Sequence, residues 1–240
     1  MELIAHRGVS SEAPENTFSA FERAVELNLP WVELDIQCSQ DGHLVVFHDD
    51  DLVRTASPSS AHSIANLPLS DLRRFDVGSW FAPRFAGERI PTFEEVLQWR
   101  SQQAPQLGLM VELKSLGGCP KLLVEKSLGH LQRLSNGSPT LVGSLDPRLI
   151  AHLIRCHPND SIIGIAESMA DLDLYLKMGL ARIALSEKLA TPKKVAELLL
   201  RGLTLWVWTV DERSRADELA RQGVQGLITN APGALTAHLR

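Results

Sequence analysis

Cysteine is scarce and odd in number: Cys38, Cys119 and Cys156 stand apart with no paired spacing. That argues against a disulfide framework, and none has a histidine at a zinc-ligand interval, although His157 follows Cys156 directly. Reduced thiols in a cytoplasm are the expectation. No run of about 18 apolar residues occurs, so no membrane-spanning helix is expected. Met1-Glu2-Leu3 leads straight into an apolar run, with no basic n-region and apolar core of a secretory signal. A basic amphipathic helix of the lipid-docking kind is also missing, which argues against stable membrane association. Positive charge is in deficit: 24 Lys and Arg against 29 Asp and Glu leave a net charge of −5. The basic residues are scattered, with Arg73-Arg74 and Lys193-Lys194 reading as helix faces, so nucleic acid is not an expected partner.

What is present is regular alternation. A chain of 240 residues suits a single α/β barrel. Leu3-Ile4-Ala5 is a first short strand. Pro14-Glu15-Asn16-Thr17 then breaks the chain and starts a helix, with Asn16 as its expected cap and Phe18, Phe21, Ala24, Val25 and Leu29 as its inner stripe. Trp31 to Ile36 is the second strand; Gln40-Asp41-Gly42 turns the chain, and Leu44 to Phe47 runs back as a hairpin into His48-Asp49. Between 50 and about 87 the pattern lapses, with Pro58, Ser59, Ser60 and Pro68 interrupting, as expected of a small insertion over the mouth of a barrel. Thr92 and Glu95 then form a capping box ahead of a helix.

Further strands are expected near 108–113, 139–143, 161–165, 182–185, 203–208 and 225–228, and helices near 120–134, 147–156, 168–176, 192–201, 212–221 and 232–238. With the first two, that makes eight strands and predicts a (β/α)8 TIM barrel, one domain over 1–240, whose chemistry belongs at the strands' C-terminal ends. A doubly wound sheet would place a glycine-rich phosphate turn after the first strand, and His6-Arg7-Gly8 is not one.

The strand ends carry the chemistry. In Val32-Glu33-Leu34-Asp35-Ile36 a period of two puts Glu33 and Asp35 on one face. Two buried carboxylates side by side repel, so one must take up a proton or both must share a cation. Oxygen-only ligands suit a hard divalent ion, Mg²⁺ or Ca²⁺. Isolated acid pairs usually lie on solvated strand faces and isolated histidines on the surface. Recurrence outweighs both readings here: three apolar runs, Leu3-Ala5, Val32-Ile36 and Leu109-Leu113, carry acid, base or cation at or beside their C-terminal ends. Trp206 and Trp208 share a strand face, the first suited to the core and the second to either core or substrate stacking. Trp80 and Phe81 suit either a rim of the mouth or packing of the insertion onto the barrel, packing being the simpler.

In order along the chain, Ala5-His6-Arg7-Gly8, Pro14-Glu15-Asn16-Thr17, Glu33-Leu34-Asp35, His48-Asp49 with Leu52, Arg54 and Thr55, and Glu112-Leu113-Lys114 resemble the signature of glycerophosphodiester phosphodiesterases. Gly78-Ser79-Trp80-Phe81, Ile90-Pro91-Thr92, Trp208-Thr209-Val210 and Gly223 to Thr229 extend the likeness across nearly the whole chain. The resemblance implies a TIM barrel hydrolysing small glycerophosphodiesters to sn-glycerol 3-phosphate and an alcohol in the cytoplasm. It implies one divalent cation, Mg²⁺ or Ca²⁺, on Glu33, Asp35 and Glu112. His6 and His48 are implied as base and acid, Arg7 and Lys114 as phosphate contacts, and Trp208 as a substrate contact. Asp211 stands where the family often has Asn, Asn230 where it often has Asp, Leu145 where Phe is common, and Ala56 to Ser60 replace a Thr and glycines. Two rivals remain: a phospholipase acting on lysolipid or phosphatidylinositol, which needs a membrane-docking surface, and a barrel that binds phosphodiesters without turning them over, which predicts loss of part of the metal-and-histidine set.

Overall fold

The computed structural model describes residues 1–56, 62–115 and 120–236. The short apolar runs are strands buried on both faces, and the segments of helical period cover them. In order they are β1 (Glu2–Ala5), α1 (Phe18–Glu26), β2 (Trp31–Cys38), β3 (Leu44–Val46), α2 (Leu69–Leu72), α3 (Phe93–Gln103), β4 (Gly108–Leu113) and α4 (Pro120–Leu134). Then follow β5 (Thr140–Ser144), α5 (Pro147–Cys156), β6 (Ile162–Ala166), α6 (Met169–Lys177), β7 (Arg182–Ser186), α7 (Pro192–Leu200), β8 (Thr204–Trp208), α8 (Arg213–Arg221), β9 (Gly226–Thr229) and α9 (Pro232–Thr236).

All strands but β3 run parallel, and β1 pairs with both β2 and β9, which closes them into an eight-stranded (β/α)8 TIM barrel. The antiparallel β3 pairs with the C-terminal end of β2, from Ile36↔Val46 to Cys38↔Leu44, where β2 outgrows the barrel, and Val45 also bridges Thr92. Strand alternation separates two cores. Val32, Leu34 and Ile36 face outward into the layer shared with helical residues such as Phe21, Val96 and Leu97. Ile4, Met110, Ile163, Ile165, Trp206 and Ile228 fill the barrel interior. Trp206 meets Trp31 edge to face at 5.2 Å there, and leans over Gly226, where an added Cβ would come within 2.5 Å of the indole. Among the described residues no helix is long and apolar enough to cross a membrane.

Two local expectations are corrected. Thr17, not Asn16, caps α1, accepting from the Ala20 N–H. Val25 is 37% exposed, because the buried face of α1 centres on Ala20, Phe21 and Ala24 and leaves both Val25 and the half-buried Phe18 at its edge. The segment after His48 builds a small core of its own, with Leu52, Ile64, Leu72, Val77 and Ile90 packed against Val45 and Phe47 of the hairpin. The capping box of Thr92 and Glu95 forms as expected. Cys119, the run Ser57 to Ser60 and the last residues of the expected 232–238 helix lie outside the described residues.

Candidate active site

Glu33 and Asp35 point inward from β2, and the β2–β4 register sets Asp35 directly opposite Glu112. One carboxylate oxygen from each of the three lies within 4.8 Å of the others, and all three residues are buried. Their electrostatics differ. Asp35 is held well below the ordinary carboxylate range: burial acts to raise its pKa, but Lys114 and Arg7 outweigh it, at 3.1 Å from Nζ and 3.4 Å from Nε. Burial raises the pKa of Glu112, with Asp35 adding to it and Lys114, 2.6 Å away, opposing it. Glu33 is raised well above its usual value by burial and by both neighbouring carboxylates. Its Oε2 accepts the Arg7 backbone N–H at 2.8 Å, while Oε1 is buried without a hydrogen-bond partner.

The loop after β1 supplies the next groups. Arg7 (φ 57°) and Asn16 (φ 58°) both occupy the left-handed region, costly for ordinary residues and concentrated at functional sites. Gly8 (φ 80°) passes so close to α1 that an added Cβ would come within 2.5 Å of the Ala20 Cβ, so only glycine allows this loop to lie on the helix. The loop delivers His6, whose Nε2 stands 3.9 Å from Glu33 Oε2 and whose Nδ1 meets Asn230 Oδ1 at 2.7 Å. Burial and then the Arg7 charge push the His6 pKa down to about 4, so the ring is neutral at neutral pH.

The β2–β3 hairpin returns His48 to the same mouth, with Nδ1 2.6 Å from Asp49 Oδ1. Arg54 donates to Asp49 and to both oxygens of Glu15, and Glu15 also accepts from Arg7. A chain of charge-assisted hydrogen bonds therefore links His48 to Arg7, which in turn forms an ion pair with Asp35.

A cavity of about 530 Å³ opens over these groups. His6, Arg7, Glu33, His48, Glu112, Lys114 and Trp208 line it, and Asp35 sits just beneath, against Lys114 and Arg7. The Trp208 ring is held by its indole N–H, which donates to the Ala184 carbonyl at 3.0 Å. Leu145, Asp146, Ile165 and Glu167, in or just after β5 and β6, are also part of the wall. Trp80 and Phe81 do not line it: Trp80 meets Phe81 edge to face, and Phe81 meets Phe85 in the same way.

The profile of the glycerophosphoryl diester phosphodiesterase family matches residues 6–234. The chain belongs to that family. Among its relatives, a glycerophosphodiester phosphodiesterase of Caldanaerobacter subterraneus subsp. tengcongensis is 30% identical over 238 residues, covering 97% of this chain and 95% of that one. Another, from Bacillus subtilis, is 28% identical over 249 residues, covering 95% and 83%. An Oleispira antarctica phosphodiesterase, solved in complex with its product sn-glycerol-3-phosphate, superposes with a TM-score of 0.91 at 27% identity, covering 99% of this chain and 96% of that one. An Agrobacterium tumefaciens glycerophosphodiester phosphodiesterase shares the fold at a TM-score of 0.82 and 24% identity, covering 99% of each chain.

Within this family member the residues singled out by sequence gather in one place, and sequence reasoning missed several of their partners. Asn16, taken as a helix cap, instead donates Nδ2 to Asp35 Oδ2 at 2.9 Å and accepts the Asp35 backbone N–H at 3.3 Å. Glu15, Asp49 and Arg54 lie within the family-like motifs, and the sequence by itself gives them no role. Their charges alone, two acids and one guanidinium beside the histidine-bearing turns, were the available signal.

Proposed function

We propose that this phosphodiesterase hydrolyses glycerophosphodiesters to sn-glycerol 3-phosphate and an alcohol, using one divalent cation and the His6–His48 pair. The observation that carries the reading is the convergence of Glu33, Asp35 and Glu112 in one buried cluster between two imidazoles at the floor of a single cavity. The donor set fits Mg²⁺ or Ca²⁺: all ligands are oxygens, and the buried Glu33 Oε1 lacks a partner that a cation would supply. When bound, the ion polarises the phosphate and offsets charge developing on its oxygens.

The chain's own groups divide the remaining work. Arg7 and Lys114 point positive charge into the cavity and bind the phosphate. His6, neutral at neutral pH, accepts the proton of the attacking hydroxyl, either the glycerol hydroxyl next to the phosphoester or a water. His48, held by Asp49, protonates the departing alcohol as the P–O bond breaks. If the glycerol hydroxyl attacks, a cyclic phosphate forms and water opens it, with the two histidines exchanging roles. Trp208, at the cavity wall, packs against the substrate.

The test is release of glycerol 3-phosphate from a water-soluble diester by chelator-stripped protein with Mg²⁺ or Ca²⁺ restored. Activity should return with the ion, and His6→Ala and His48→Ala should each lose about 10²–10⁴ in kcat while remaining folded. Turnover undiminished in either variant removes that histidine from the mechanism. Greater activity on micellar lysolipid than on soluble diesters would favour a phospholipase instead.

A further inference from the structure

Asp211 lies in the turn after β8, exposed, outside the acid cluster and outside the cavity wall. Its carboxylate nevertheless accepts three hydrogen bonds. Oδ1 takes the Thr229 hydroxyl at 2.9 Å and the Asn230 backbone N–H at 2.8 Å, and Oδ2 takes the Asn230 side-chain Nδ2 at 2.7 Å. A carboxylate can only accept, so Asn230 must turn its NH₂ toward Asp211 and its Oδ1 the other way. On that side Oδ1 accepts from Ser10 Oγ at 2.9 Å and lies 2.7 Å from His6 Nδ1. An amide oxygen also can only accept, so Nδ1 must carry the hydrogen. The lone pair of the neutral ring is then left on Nε2, the nitrogen on the Glu33 side of the cavity.

We propose that Asp211 is a positioning residue: acting through Asn230, it fixes the His6 ring in its Nδ1–H tautomer and aims the Nε2 lone pair into the cavity. This rests on the reading of His6 as the base, and it adds a residue that touches neither substrate nor cation. The bonding is directional along the whole relay, from an acceptor-only carboxylate, through an amide with one donor end and one acceptor end, to an imidazole. Reversing the first member reverses the last. In Asp211→Asn, Oδ1 is still claimed by Thr229 and the Asn230 N–H, so an NH₂ would face the Asn230 NH₂. Turning the Asn230 side chain over relieves that clash and points its NH₂ at His6 Nδ1, which favours the Nε2–H tautomer.

The experiment compares wild type, Asp211→Asn, and the exchange variant Asp211→Asn with Asn230→Asp. In the exchange variant the new amide at 211 donates to the new carboxylate at 230, which still accepts the His6 Nδ1–H. Imidazole nitrogen shifts in ¹⁵N-histidine-labelled protein, assigned by the signal lost in His6→Ala, report the tautomer independently of turnover. Asp211→Asn should shift His6 toward Nε2–H and lower kcat by about 10²-fold, with KM changed less than about threefold. The exchange variant should restore the Nδ1–H signal and most of kcat. A ring that keeps Nδ1–H in Asp211→Asn overturns the proposal whatever the rate does, since a tie between β8 and β9 would lower stability without moving a tautomer. A switched tautomer with unaltered kcat supports the relay and instead removes His6 from the role of base.

Discussion

Asn16 shows how much one side chain can hold. It is 2% exposed, its backbone sits at φ 58°, and its amide bonds both the carboxylate and the backbone N–H of Asp35. Replacing it with alanine removes both bonds beside a buried acid and puts a Cβ-bearing residue in the left-handed region without the local bonding that lets asparagine reside there. We expect Asn16→Ala to cost about 2–4 kcal/mol in urea unfolding and to weaken cation binding by about 10–100-fold, as loss of a ligand's outer partner does. Asn16→Gly should recover the backbone share, about 1 kcal/mol, and none of the cation affinity. Equal stability losses in the two variants would show that the backbone conformation is not part of the cost. Asparagine beside threonine ahead of an apolar stripe satisfies the chemistry of a helix cap at either position. Only the presence of Asp35 nearby, nineteen residues on, decides which one turns toward the site.

At the scale of elements, the insertion is tied off by one carboxylate. Asp76 accepts the backbone N–H groups of Gly78, Ser79 and Gly87 at 2.8–2.9 Å, together with the Ser79 hydroxyl, and so joins the two ends of the Trp80 loop. Burial acts to raise its pKa, but these four bonds outweigh it and hold the group well below the ordinary aspartate value. A depressed folded-state pKa means the stabilisation is complete above the unfolded value and is lost as pH falls toward the folded one. Asp76→Ala should therefore cost about 1–2 kcal/mol near neutrality. In urea titrations its deficit against wild type should narrow as pH falls from about 5 to about 2. A deficit that does not change with pH would mean the charge of Asp76 contributes nothing. The barrel strands and capped helices were legible because burial on both strand faces and caps such as Thr92 with Glu95 are local patterns. The acid cluster was legible for the same reason, since period two on β2 and a shared strand-end position for Glu112 follow from alternation alone. The Asp211–Asn230–His6 relay was not, because it needs β8, β9 and β1 to lie side by side, which the closure of the barrel supplies and no local pattern does.

Across the whole molecule, three buried acids face two cations, and the balance decides where a proton resides. Lys114 lies between Asp35 and Glu112, and Arg7 lies beside Asp35. Glu33 receives one backbone N–H and nothing on its other oxygen. Like charges about 5 Å apart repel by roughly 3 kcal/mol at an effective dielectric near 20, enough to keep a proton on the least compensated member. Glu33 is that member, and its raised pKa means it is protonated at pH values where an exposed glutamate is not. A cation needs the bare carboxylate, so binding must expel the proton, and apparent affinity must rise with pH until Glu33 ionises unaided. Calorimetric titration with Mg²⁺ or Ca²⁺ in two buffers of different ionisation enthalpy should give different heats at one pH, while Glu33→Gln should bind more weakly and give the same heat in both. Buffer-independent heats from the wild type would place the proton elsewhere. The same coupling reaches the fold, because a ligand at about 100 times its Kd adds about 2.7 kcal/mol to stability. At about 2–4 °C per kcal/mol for a chain of this size, saturating cation should raise Tm by roughly 5–10 °C, and by less as pH falls and the proton competes for Glu33.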